Sequence, residues 1–476
     1  MSDATGRTWD VIVIGAGSTG EVAADRLRKA GLTAAVVEHH LVGGECSYYA
    51  CSPSKALLRP VHVTRASQRV EGSVGARLDP AGVLSRRDTW VNKRGDGSLS
   101  DRGGVGWLEH VGIDLVRGTA RLAGERRVEV DGQLLEARHA VIVATGTSPL
   151  VPDIPGLREA RPWTNRDATT SPKVPDRLVV LGGGVVACEL ALVYAALGSE
   201  VTIIEQEDRL LGRSEPFAAE AVAASLRHDG VDIRLGAAAT AVSRLGPSGE
   251  VTVVLDDGSR VVADEVLVAV GRAPNTGDLG LESLGVETDD HGYIRVSERM
   301  EAQGLDGQRW LYAAGDVTGI SLLTHMGKYQ ARACADLVAA RATGQPDTGP
   351  SLVPHATDLG SPQVVFTDPE VASTGLTEEQ ARERGLRVRV VDVPMDKAAG
   401  SGLQAEGYQG RARIVVDEDT GTLVGATFVG QDVADLVHPA TVGIVGRVPL
   451  ATLWHAVPAF PTMSEIWLRL LEEYGL

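Results

Sequence analysis

Apolar residues gather in short unbroken runs, several of them closed by a glycine turn and followed by an alanine- and leucine-rich stretch. Val11-Ile-Val-Ile leads into Gly15-Ala-Gly-Ser-Thr-Gly20, an alanine-rich segment and a second apolar run, Ala34-Ala-Val-Val-Glu38. The same order returns with Leu178-Val-Val-Leu, Gly182-Gly-Gly-Val-Val-Ala187, an Ala/Leu segment and Val201-Thr-Ile-Ile-Glu205. Runs of this length fit strands buried on both faces of a parallel sheet, with the intervening stretch as the crossover helix. Two such strand–helix–strand units lie far apart in the chain and predict two separate domains. The proline-rich connectors Val151-Pro-Asp-Ile-Pro155 and Ser171-Pro-Lys-Val-Pro175 mark the boundary between them. A strand at Glu265–Val270 closes the second. Beyond about residue 350 the alternating stretches Arg411-Ala-Arg-Ile-Val-Val and Leu423-Val-Gly-Ala-Thr-Phe-Val predict an antiparallel sheet with helices.

Each glycine turn carries a dinucleotide fingerprint. Gly15, Gly17 and Gly20 follow a strand, open a helix and precede Glu38 at the end of the next strand. The first glycine permits the tight turn, the second lets backbone approach a pyrophosphate, and the third lets helix and strand pack closely. The helix N-terminus offers unpaired N–H groups to phosphate, and Glu38 accepts from ribose hydroxyls. The second fingerprint reads Gly182, Gly184, Ala187, with Glu205 at the matching strand end. A carboxylate there bonds a 2′-hydroxyl and repels a 2′-phosphate, which favours NADH over NADPH, although Arg209 and Arg213 lie near. The expected fold class is α/β, with two Rossmann-like dinucleotide-binding domains and an α+β C-terminal domain.

Composition narrows the class. A chain of 476 residues exceeds one core, and a formal charge of −17 argues against nonspecific nucleic-acid binding. No apolar run reaches the ~18 residues of a membrane span. The opening Met1–Thr8 carries no apolar signal core, so a cytoplasmic protein is expected. Four cysteines are too few for a disulfide scaffold and point to a reducing compartment. Cys188 and Cys334 lie in apolar helical patterns and read as packing thiols.

Cys46 and Cys51 are different. They stand five positions apart in Gly43-Gly-Glu-Cys-Ser-Tyr-Tyr-Ala-Cys51-Ser-Pro-Ser-Lys55. On a straight helix that spacing puts the Cα atoms roughly 8–9 Å apart, whereas a disulfide needs about 4.4–6.8 Å. If the pair bonds, the segment is bent or nonhelical. No further Cys or His nearby supports zinc, and no metal site is expected.

With these residues in view, the sequence resembles the class I pyridine nucleotide–disulfide oxidoreductases, such as dihydrolipoamide dehydrogenase, glutathione reductase and mercuric reductase. The resemblance runs through the dithiol segment and Ala144-Thr145-Gly146-Thr-Ser-Pro149. It continues through Gly182–Glu189, Gly271-Arg272-Ala-Pro-Asn275, Tyr312-Ala-Ala-Gly315-Asp316, Val364–Glu370 and Phe460-Pro-Thr-Met-Ser-Glu465. It implies FAD and NAD(P)H as cofactors, a disulfide, dithiol or small-molecule substrate, and a homodimer whose active site is shared across the interface. The implied domains are 1–150 for FAD, 151–272 for NAD(P), 273–349 completing the FAD site, and 350–476 for dimerisation. Cys51 is implied as the charge-transfer thiolate against flavin and Cys46 as the interchange thiol. Lys55 and Glu189 match the ion pair beside the reactive flavin nitrogen, Asp316 the ribityl ligand and Glu38 the adenosine ribose ligand. Gly44, Thr145, Gly146, Arg272 and Gly315 join the FAD set, and Gly271 the NAD set.

One position departs from the pattern. Disulfide-reducing members carry His-Pro-Thr-x-Ser-Glu, where the His relays a proton and the Glu orients it. Here Phe460 stands at the His position while Glu465 remains, and phenylalanine holds no proton. His455 is the nearest substitute in sequence. Mercuric reductases use a C-terminal cysteine pair, and this chain has no cysteine after Cys334. Three readings follow: a dihydrolipoamide dehydrogenase-like enzyme; a reductase of quinones, dyes or metal ions that needs no relay; and a flavin-binding redox sensor with little turnover.

Overall fold

The computed structural model describes residues 7–247, 249–356 and 360–476; Met1–Gly6, where the absence of a signal core was read, lies outside them. The described chain divides into two compact units. Among the described residues no helix is long and apolar enough to cross a membrane.

Among the described residues, the first unit contains 7–52, 88–149 and 272–356. Its sheet is parallel through Asp114–Arg117, Ala34–Glu38, Arg7–Ile14 and Gln133–Val143, in that order. The last strand is long and has two partners. Its C-terminal half pairs in parallel with Leu311–Ala313, and its N-terminal half joins an antiparallel meander with Arg127–Val130 and Ala120–Gly124. Every residue of Ala34–Glu38 is buried, as an unbroken apolar run requires. Helix Ser18–Lys29 follows the first glycine turn and packs on helix Thr324–Ala342. The sulfur of Cys334 is buried in that packing, as expected.

The second unit, among the described residues, contains 53–87, 150–247, 249–271 and 360–476. The parallel order is Asp232–Leu235, Glu200–Glu205, Arg177–Leu181, Glu265–Val268. The last strand ends at Val268, two residues short of the expected Val270, with the Ala269 N–H still bonded to the Leu181 carbonyl at 2.8 Å. Cys188 is buried on helix Val185–Ala196, again as a packing thiol. The C-terminal sheet is antiparallel, in the order Gln363–Val365, Glu370–Gly375, Thr422–Gly430, Arg411–Asp417, Val388–Pro394. Residues 53–87 group with this unit and not with the remainder of 1–150, because Leu57, Leu58, Val61 and Val83 join its apolar core.

Steric necessity explains the glycines. A methyl group at Gly20 would stand 1.9 Å from the Gly15 carbonyl oxygen, and one at Gly15 (φ +102°) would stand 2.4 Å from that of Ala144. Nothing but backbone motion relieves either clash. Gly20→Ala is therefore expected to destabilise the protein by about 3 kcal/mol or more and to abolish flavin retention. Urea denaturation followed by circular dichroism, with flavin absorbance of the purified protein, checks this; wild-type stability and a yellow protein would refute it.

Candidate functional site

The dithiol segment is held against the first glycine turn through its backbone. The Gly43 N–H donates to the Ala16 carbonyl at 2.8 Å, Gly17 and Gly43 form a parallel bridge, and Gly44 (φ +60°) lies so near Gly17 that a methyl there would come within 2.9 Å of its Cα. From this anchor a short helix, Gly44–Tyr48, carries Cys46. The Tyr49 and Ala50 N–H groups then both turn back to the Glu45 carbonyl, ending that helix, and a new one starts at Cys51 and runs to Gln68. The segment is bent between the cysteines, the geometry the spacing argument requires for the pair to bond, and both thiols are free here. Tyr48 is buried, its hydroxyl 3.4 Å from the Ser100 carbonyl, and Tyr49 stacks on His40 with a 2.8 Å hydroxyl–Nε2 hydrogen bond.

The Cys51 thiol hydrogen-bonds Cys46 and lies 3.3 Å from Thr324 Oγ1. This bond pulls Cys46 down to about 6; burial opposes it, and Thr324, Ser18 and the Lys328 ammonium help. The Cys51 contact thus favours the Cys46 thiolate. Alkylation of Cys46 in the reduced protein is expected to rise through pH about 6 instead of near 9, which iodoacetamide labelling with peptide mapping reads directly. A midpoint above pH 8 would contradict the arrangement.

Both fingerprint carboxylates brace their own glycine turns. Glu38 accepts the N–H groups of Ala16 at 2.8 Å and His40 at 2.7 Å; Glu205 accepts those of Gly183 and, at 2.9 Å, Glu207. The pairing is equivalent in the two repeats, and each turn is held open in the same shape. Gly17 and Gly184 cap their helices at the N-terminus in extended backbone, and a methyl built at either meets no protein atom within 4 Å. Space over an unpaired helix N-terminus, beside a fixed carboxylate, fits a dinucleotide pyrophosphate and ribose in each unit. Gly182 (φ +104°) repeats the part of Gly15, with the Ala269 oxygen in place of that of Ala144, and Ala187 is wholly buried.

The remaining FAD-set residues gather in the first unit. Arg272 donates to Thr147 Oγ1 at 2.6 Å and to its carbonyl at 2.7 Å, and lies 3.5 Å from Glu45. Thr147 Oγ1 also bonds Asp316, which follows Gly315 (φ +82°); burial pushes this carboxyl up, against the pull of Arg272. Thr145 and Gly146 are pinned to Asn275, through Thr145 Oγ1 to the Asn275 carbonyl, Asn275 Nδ2 to the Thr145 carbonyl, and the Asn275 N–H to the Gly146 carbonyl. Gly271 (φ +147°) accepts the Leu150 N–H in the second unit. Sequence reasoning overlooked Glu21, in the first helical turn. Burial raises its carboxyl to about 7, Lys328 opposes this, and Cys46 and Glu38 add to it.

In the second unit, Lys55 Nζ and Glu189 Oε2 form a 2.7 Å ion pair, with Glu189 only 3% exposed. Phe366, unassigned from sequence, donates its N–H to Glu189 Oε1 at 3.0 Å and sets its ring 4.8 Å from the Lys55 ammonium. At the C-terminus, Phe460 is 76% exposed and Glu465 5%. Glu465 accepts the Ala399 N–H at 2.8 Å and pairs with Arg469 at 2.5 Å. His455 is exposed and is not among these partners, so Glu465 orients no imidazole here. Among the described residues no group of three or more His, Cys, Asp or Glu is placed to hold a metal.

Two dinucleotide cradles, a dithiol beside the first and a C-terminal antiparallel sheet define a flavin-dependent disulfide oxidoreductase. Residues 9–360 match the family model for pyridine nucleotide-disulphide oxidoreductases, and residues 361–470 match the dimerisation domain of the same family. The chain belongs to the pyridine nucleotide-disulphide oxidoreductase family. It is 34% identical to a dihydrolipoyl dehydrogenase of Thermus scotoductus, over 96% of each chain. It is 32% identical to a mercuric reductase of Staphylococcus aureus, over 96% of this chain and 81% of that one. Among solved structures it resembles the HOCl-induced flavoprotein disulfide reductase RclA from Escherichia coli, with a TM-score of 0.82 and 26% identity over 97% of this chain and 99% of that one. The protein is thus an FAD- and pyridine nucleotide-dependent oxidoreductase with a redox-active cysteine pair.

Proposed function

We propose that the chain works as a cytoplasmic homodimer that draws on NADH in preference to NADPH and reduces a disulfide substrate through Cys46 and Cys51. The observation that carries this is the backbone-anchored dithiol, with Cys51 hydrogen-bonded to Cys46. FAD, when bound, accepts hydride from the nicotinamide and hands two electrons to sulfur. The chain's own part is to hold Ala16–Gly20 open over the phosphates through Glu38 and to present Lys55 and Glu189 toward the flavin. Cys46 is kept anionic for attack on a substrate disulfide, and Cys51 resolves the mixed disulfide. Glu205 opposes a 2′-phosphate, which supports NADH. Its four cysteines and the low-pKa thiol suit a reducing compartment. The dimerisation domain supports a twofold assembly, for which we propose domain limits of 1–150, 151–272, 273–349 and 350–476 and an active site completed by the partner.

A second reading has its own support. With Phe460 exposed and Glu465 committed to Arg469, the C-terminal turn offers no proton relay, which suits quinones, dyes or metal ions as acceptors. Steady-state oxidation of NADH and NADPH with lipoamide, glutathione disulfide, a benzoquinone and ferric citrate separates the two. Disulfide turnover with an NADH preference of about tenfold or more supports the first. Turnover confined to quinone or ferric citrate supports the second and sinks the first.

A further inference from the structure

Phe366 touches both members of the Lys55–Glu189 pair. Its backbone N–H holds Glu189 Oε1, leaving Oε2 for Lys55, and its ring faces the ammonium at 4.8 Å, within range of a cation–π contact. The turn that carries Phe366 is itself held from several sides. Asp368 pairs with both guanidinium nitrogens of Arg69 at 2.8 Å and with Arg65 at 3.3 Å, and Arg65 also reaches Asp229. His62 Nε2 meets the Phe366 carbonyl at 3.2 Å, and Ser225 Oγ donates to the Asp368 carbonyl. Lys55, His62 and Arg69 recur every seventh residue, with Arg65 between them, so one face of helix Cys51–Gln68 and its exit contacts this turn. The turn opens the C-terminal sheet, directly after strand Gln363–Val365.

We infer that Phe366 is a positioning residue for the flavin-side ion pair: its amide fixes Glu189, and its ring holds the Lys55 ammonium in place. This rests on the reading that Lys55 and Glu189 face the flavin. A cation over an aromatic face is attracted to it, so removing the face loosens the Lys55 ammonium and lets it swing out to reagent. The turn also joins that pair to Gln363–Val365, the first strand of the C-terminal sheet.

Competitive trace acetylation of Lys55 across pH, read by peptide mass spectrometry, tests the inference without relying on catalysis. Phe366→Leu keeps the amide and most of the volume but removes the π face; it is expected to speed acetylation roughly 3–30-fold at fixed pH. Phe366→Trp keeps a π face and is expected to stay within about twofold of wild type. Equal labelling in Phe366→Leu and wild type, or equal acceleration in both variants, overturns the cation–π role. Rapid-mixing reduction of the flavin by NADH, compared in Phe366→Leu and Lys55→Met, separates the two layers. If both variants slow it, the inference and the reading beneath it hold. If Lys55→Met leaves it unchanged, the placement of the pair beside flavin fails, whatever the labelling shows. If only Lys55→Met slows it, the placement stands and Phe366 loses its role.

Discussion

Cys46→Ser is expected to lower NADH-dependent disulfide reduction by about 10³-fold or more, while reduction of the bound flavin by NADH stays within a few-fold of wild type. The first number follows from removing the nucleophile: a serine hydroxyl is not ionised near neutrality and forms no mixed disulfide. The second follows from geometry, because the glycine turn contacts the dithiol segment through Gly43 and Gly44, both upstream of the substituted side chain. Cys51→Ser tests the pair from the other side. It leaves a hydroxyl donor beside Cys46 but removes the resolving sulfur, so turnover is lost while Cys46 stays alkylatable well below pH 9. Steady-state assays with lipoamide, together with stopped-flow flavin absorbance, measure both quantities. Undiminished disulfide turnover in Cys46→Ser would remove the dithiol from the reaction.

The second large effect concerns Phe460. Placing an imidazole there supplies the proton relay that the family resemblance implies at this position, and positioned acid–base groups contribute about 10²–10⁴-fold. Phe460→His alone is nevertheless expected to raise lipoamide turnover less than about tenfold. The carboxylate that has to orient the imidazole is occupied: Glu465 takes the Ala399 N–H on one oxygen and Arg469 on the other. Arg469 also pairs with Glu472. The double variant Phe460→His/Arg469→Ala frees one oxygen and is expected to gain about 10²-fold, with a new pH dependence from the imidazole. Thermal melts of both variants show whether losing Arg469 has loosened helix Glu465–Tyr474. A full gain from Phe460→His alone would show that the Arg469 contact does not hold Glu465 back. No gain from either would show that proton relay is not what limits disulfide turnover.

The pattern of residues determined whatever depends on local backbone geometry. Two strand–glycine turn–helix units, their carboxylates at matching strand ends, the antiparallel C-terminal strands and the break between Cys46 and Cys51 were all legible. Each follows from φ, periodicity or the reach of a few consecutive residues. Even the packing thiols Cys188 and Cys334 declared themselves by their apolar neighbours. Tertiary structure alone decided which distant groups meet. That Glu38 and Glu205 brace the turns they follow, that Phe366 covers Lys55, that the Ala399 N–H meets Glu465, and that residues 53–87 join the second unit's core are outcomes of sheet order and helix docking. Side chains separated by hundreds of residues are brought within 3 Å by the packing of buried apolar surface, which is non-directional, so no local pattern names the partner in advance.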